Sequence, residues 1–186
     1  MRPGPGEVLH FSEDPTITVF HPHVAATAQQ PGAYVWAVDD ARCPDYWFPR
    51  QCPRAMAWTL PTTTPADREL VLGPGGGERV HAVEYAWLPR LTAVRLFAYR
   101  LPAALFRPFG TPVPHAHVAT TSVEPLGPPE PVGDLLRLHE AAGIQLRVLP
   151  ALHAFWSAVT ATTLGFSAIR LRNAGRGPDA VPRAGG

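Results

Sequence analysis

The chain has 186 residues, 46% hydrophobic and 17% charged, with 16 basic against 15 acidic side chains for a net charge of +1. That length buries a sizeable core in one domain, and so even a charge balance argues against nucleic acid as a partner. Every basic residue is arginine, which excludes Schiff-base and phosphate-loop lysine chemistry.

Residues 1–7, rich in Pro and Gly, read as a disordered tail. Residues 8–12 read as a first strand, and 34–38 as a second with Tyr34, Trp36 and Val38 on one face. Asp39 or Asp40 suits the N-cap of a short helix over 41–47, and 54–60 reads as a third strand. Two loops follow, at 61–67 and at the glycine run 73–77, the latter a flexible insertion. The spacing of Val80, Val83, Trp87 and Leu91 predicts a helix over 78–91, with Pro89 distorting its last turn. Strands are expected at 93–101 and 118–123. A helix is expected over 131–142, opened by Pro131 and closed by Gly143. A strand over 144–149, a helix over 150–163 with Leu152, Phe155, Trp156 and Val159 inward, and a strand over 166–172 complete the order. Residues 174–186 read as a second disordered tail. Strands and helices mix without a βαβ rhythm. The expectation is therefore one α+β domain over 8–173, with a mixed or antiparallel, even split, sheet and packed helices.

Cys43 and Cys52 do not have zinc spacing, and no group of fixed spacing suggests another metal. MRPGPGE lacks an apolar run, and no stretch is long enough to cross a membrane. Reduced thiols and a cytoplasmic location are therefore expected.

The chemistry concentrates in residues 34–58, which hold three Trp, both Cys, three Asp and three Arg. Rings and guanidiniums at such density suit a concave cationic pocket. Arg50 and Arg54, in PRQCPR, serve either as a phosphate clamp or as salt-bridge partners of Asp39, Asp45 or Glu84. His10, in LHFSEDP, serves either to bond a ligand hydroxyl or to hold a backbone carbonyl, and the pattern favours the carbonyl. The pairs His21/His23 and His115/His117 read as solvated loop residues. Glu84 reads as half of a structural ion pair rather than as a catalytic acid. No nucleophile elbow or Ser-His-Asp ordering is present.

The segments LHFSEDPTITVF, VWAVDDARCPDYWFPRQCPR, EYAWLPRL, LFAYRLP and TLGFSAIRLRNA resemble an uncharacterised bacterial family of unknown function. More weakly, LHFS, VFHP, YVWAVDDARCPDYW and HVATTSVEP resemble the ADP-ribosyltransferase-like superfamily. That resemblance implies an NAD-binding fold. His10 and Ser12 would contact ribose, Trp36, Tyr46 and Trp47 would wall the pocket, and Arg50 and Arg54 would hold pyrophosphate. A late-strand glutamate would be required for ADP-ribosyl transfer, but its place reads His117, with Glu124 at the far end of the strand. The alternative is a non-catalytic binding module for a nucleotide, a phosphorylated metabolite or a peptide. A third reading makes Trp36, Trp47, Trp58 and Trp87 plain core.

Overall fold

The computed structural model describes residues 1–24, 32–111 and 113–175. The strands are β1 (Glu7–Ser12), β2 (Val35–Ala37), β3 (Arg54–Trp58), β4 (Arg79–Glu84), β5 (Phe97–Pro102), β6 (Arg107–Phe109), β7 (Ala116–Ala119), β8 (Glu130–Pro131), β9 (Ile144–Leu149) and β10 (Gly165–Ile169). The α-helices are α1 (Pro65–Val71), α2 (Leu88–Ala93), α3 (Leu135–Ala141) and α4 (His153–Thr160). The protein is a mixed α/β structure with antiparallel and mixed open sheets. It divides into two compact units, each made of two chain segments. Unit 1 is Met1–Trp47 with Arg95–Gly133, and unit 2 is Phe48–Val94 with Asp134–Gly186.

Unit 1 holds two antiparallel three-stranded sheets, β1-β5-β8 and β2-β7-β6. They join where Leu9 and Val38 exchange both backbone hydrogen bonds, at 2.9 and 2.8 Å. Alternation places Val8, Val35, Ala37, Tyr99, Leu101 and Ala119 in one core, together with Phe20 and Val123. Trp36 therefore faces away from that core, between the inward-facing Val35 and Ala37. The first seven residues, expected to be a loose tail, are held in place. Gly6 accepts from the Ala103 amide at 2.8 Å, and Arg100 binds Glu7 at 2.5 Å and Glu130 at 2.6 Å.

Unit 2 holds the four-stranded sheet β10-β3-β4-β9, antiparallel except for the parallel pair β4–β9. Its central strand corrects the helix expected over 78–91. Residues 80–84 are all buried, and a strand covered on both faces loses its two-residue alternation. Val80, Val83, Trp87 and Leu91 match helical spacing only by coincidence, because the first two lie on β4, Trp87 in a 3-10 turn and Leu91 on α2. Pro89 sits in the first turn of α2, where it starts the helix instead of distorting its end. Pro131 likewise lies on β8, opposite Phe97, and not in α3. Asp134 caps α3, accepting from the amides of Leu136 at 2.9 Å and Arg137 at 3.2 Å.

The expected loop over 61–67 contains the start of α1. Thr64 accepts from the Asp67 amide at 3.2 Å, and Pro65 follows it. The glycine run is not a loose insertion. Gln145 donates to the carbonyls of Leu72, at 3.0 Å, and Gly76, while Arg147 also reaches Leu72 at 3.0 Å. The last expected strand stops at Ile169, and Arg170 turns the chain with φ 57° into a 3-10 helix over Leu171–Asn173. Of the expected C-terminal tail, Ala174 and Gly175 are ordered, each with its amide bonded, and 176–186 lie outside the described residues.

Gly77 and Gly143 separate two causes of glycine use. Both have positive φ, but a Cβ on Gly77 would lie 2.8 Å from the Gly143 carbonyl oxygen, while one on Gly143 would meet open space. Gly143→Ala should cost about 1 kcal/mol for its left-handed backbone. Gly77→Ala should cost roughly 2–3 kcal/mol, since backbone must also move. Urea unfolding of both variants checks the order, and equal losses would refute the steric account.

Candidate functional site

His10 on β1 and Trp36 on β2 are brought together. His10 Nδ1 lies 2.7 Å from the Trp36 carbonyl, so that nitrogen carries the proton and donates. Ser12 is buried, and its hydroxyl accepts from the Asp14 amide at 3.1 Å, holding the turn after β1. Tyr46 is half-buried in the 3-10 helix Cys43–Tyr46. Trp47 is core, and the Arg2 guanidinium lies over its ring at 5.4 Å. Arg50 and Arg54 belong to unit 2. Arg50 is exposed; Arg54 is 2% exposed, donates to the Cys52 carbonyl at 3.0 Å and lies over Phe48 at 5.1 Å.

Asp39 turns the chain after β2. Its Oδ1 accepts from the Arg42 amide at 3.0 Å, and its Oδ2 lies 3.3 Å from His117 Nε2. Asp45 is buried and pairs with Arg42 at 3.5 Å. The helix expected over 41–47 shortens to the 3-10 turn, because Pro44 within it leaves no amide for an α-helical ladder. Burial pushes the Cys43 and Cys52 thiols up to about 12, so both stay protonated at neutral pH. Of the other histidines, His21 bonds the Ser122 hydroxyl at 2.8 Å. Among the described residues no group of three or more His, Cys, Asp or Glu side chains could hold a metal ion.

Two arrangements escape a reading by sequence spacing. In unit 1, Trp36, Val118 and Arg107 are register partners across β2, β7 and β6, which places them on one sheet face. Tyr34, Trp36 and Phe109 form a three-ring cluster there, with centroids 5.1–5.9 Å apart. The exposed Arg107 guanidinium sits 5.8 Å from both the Tyr34 and Phe109 rings. His115 stands edge-on to Phe109 at 5.9 Å, and partial burial together with Arg42 holds it below the usual histidine range.

In unit 2, His81 and His139 are wholly buried, with His81 Nδ1 3.1 Å from His139 Nε2. Both are kept neutral. Burial acts first on each; His139, Arg79 and Arg54 add to the effect on His81, and Arg79 adds to that on His139. Glu84 is also buried. Its oxygens accept from the amides of Leu152 at 3.1 Å and Gly175 at 2.7 Å.

These features define a mixed α/β protein with a cationic aromatic face in one unit and a buried imidazole pair in the other. The family of unknown function DUF6886 matches residues 9–174, and the chain belongs to that family. No curated protein and no solved structure matches the chain, so no neighbour supports the weaker resemblance to ADP-ribosyltransferases. No helix among the described residues is long and apolar enough to cross a membrane.

The two arginines of PRQCPR should separate in a stability assay. Arg54→Ala should cost roughly 2–4 kcal/mol, through a lost buried hydrogen bond and lost packing on Phe48. Arg50→Ala, at an exposed position, should stay within about 0.5 kcal/mol of wild type. Thermal unfolding reads both, and an unchanged or raised midpoint in Arg54→Ala would return that residue to a ligand-binding role.

Proposed function

We propose that unit 1 is a binding module for a nucleotide or a related phosphorylated, ring-bearing ligand, with no transfer chemistry of its own. The observation that carries this reading is the ring cluster of Tyr34, Trp36 and Phe109 beneath the exposed Arg107. Half-buried rings offer π faces to a planar base, and base–aromatic stacking is worth about 1–3 kcal/mol. A guanidinium beside them supplies a planar fork for phosphate. Trp36 Nε1, buried with no partner among the described residues, adds a donor that an acceptor on the ligand would satisfy. His10 supports the face from behind by fixing the Trp36 carbonyl.

ADP-ribosyl transfer from NAD on an ADP-ribosyltransferase-like fold stands second. It needs a carboxylate late on a strand, where β7 of this chain carries His117, bonded to Asp39 from the turn after β2, and an exposed Glu124 lies beyond it. The preferred reading keeps NAD as a ligand and drops the reaction.

Titration calorimetry with NAD, ADP and adenosine tests the module. NAD and ADP should bind, and Arg107→Ala should weaken both about tenfold, or about 1.4 kcal/mol, while leaving adenosine unchanged. Absence of binding at several millimolar of all three would overturn the proposal. Release of nicotinamide on incubation with NAD would replace it with the transferase reading.

A further inference from the structure

We propose that His81 and His139 form a buried, acid-sensitive latch that fastens α3 to the sheet of unit 2 and releases it on mild acidification. The geometry fixes every proton in the pair. His139 Nδ1 lies 2.7 Å from the Leu135 carbonyl, which can only accept, so Nδ1 carries the hydrogen and Nε2 is an acceptor. Arg79 Nε donates to His81 Nε2 at 2.9 Å, so the His81 hydrogen sits on Nδ1 and points to His139 Nε2. The result is a one-way chain from Arg79 through both rings to the helix backbone. It ties β4 to α3 through two residues 58 positions apart in sequence.

A second proton has no compatible place in this chain. On His81 Nε2 it would face the Arg79 donor, and on His139 Nε2 it would face the His81 donor. The surroundings sharpen the conflict. Phe48 packs edge-on against His139 at 5.0 Å and tilts against His81 at 5.5 Å. The register partners of His81 are Met56 on β3 and Leu146 on β9, both without charge. The charges that bear on His81 are the guanidiniums of Arg79 and Arg54, which oppose an imidazolium. Glu84, the carboxylate on the same strand, already accepts from Leu152 and Gly175. On His139's own helix, Glu140 is exposed.

The sign follows from linkage. Both histidines have folded-state values below 6.5, so the unfolded or opened state binds more protons. The latch is fully present above about pH 6.5 and weakens as pH falls below it. Opening should begin at α3, a seven-residue helix too short to persist without its tertiary contacts.

Amide exchange on the full chain, followed by NMR with labelled histidine, tests the latch. Protection factors for residues 138, 142 and 143, whose amides close α3, should fall at least tenfold between pH 7.5 and 5. Those of β1 and β5 should change much less, and both rings should report the Nδ1–H tautomer at pH 7.5. His81→Leu/His139→Leu, which replaces both rings with apolar side chains, should keep α3 protected at pH 5. A constant ratio of α3 to β1 protection in the wild type would overturn the proposal, and so would unchanged acid sensitivity in the double variant. If that variant does not fold, the wild-type ratio and the ring tautomers decide alone.

Discussion

A central strand that carries polar side chains must find partners for them away from water, and in unit 2 this demand falls on β4. His81 and Glu84 lie on a strand walled by β3 on one side and β9 on the other. Leaving either unpaired would cost on the order of 1–3 kcal/mol, and more for an ionised carboxylate. Their partners therefore fix what packs around them. His81 reaches His139 and so orients α3, while Glu84 takes the Leu152 amide at the start of α4 and the Gly175 amide beyond the last 3-10 turn. The family match ends at Ala174, beside the amide that Glu84 holds. Hydrophobic burial drives the unit together through Ala57, Val80, Leu72 and Val159, but burial has no direction. The polar side chains of β4 supply the direction.

Much of the strand order was legible because alternation is a strong signal where one face is wet. β1 and β9 match expectation to within a residue, and Gly143 marked the end of α3, whereas its start was placed at Pro131 and lies instead after Asp134. β4 was not legible for the opposite reason. With both faces buried its residues carry no period, and two valines three apart imitate a helix. The missed α1 had its signal in plain view: Thr64, Pro65 and Asp67 form a capped helix start, hidden by the apparent loop character of PTTTP.

The ring-and-arginine segment taught a different limit. Residues 34–58 read as one chemical feature, yet the two units divide between Trp47 and Phe48. Density along the sequence says nothing of which side chains share a face. Trp36 packs on Phe109, and Phe109 in turn meets Arg107 and His115, which come from β6 and the turn after it. His10 was readable as a carbonyl-bonded histidine, because a strand residue beside a polar turn has a backbone acceptor within reach. That the carbonyl is that of Trp36 depends on a pairing that one sequence does not encode locally.

Arginine usage explains why such a run looks like a binding pocket even where it is core. With no lysine in the chain, every cation is a flat guanidinium that stacks on rings as readily as it binds an anion. Arg2 covers Trp47, Arg54 covers Phe48, Arg79 covers Trp58 and Arg147 covers Phe155. Stacking of this kind is worth about 0.5–1 kcal/mol at exposed sites and more when desolvated, so it arises wherever packing allows. A ring–arginine contact is therefore a packing device first. What sets Arg107 apart is its setting: it is exposed, it lies over two rings at once, and both rings pack on Trp36, which faces away from the core of unit 1. A guanidinium buried like Arg54 has given its donors to the fold, whereas the exposed Arg107, at the rim of an outward aromatic face, keeps its fork toward solvent.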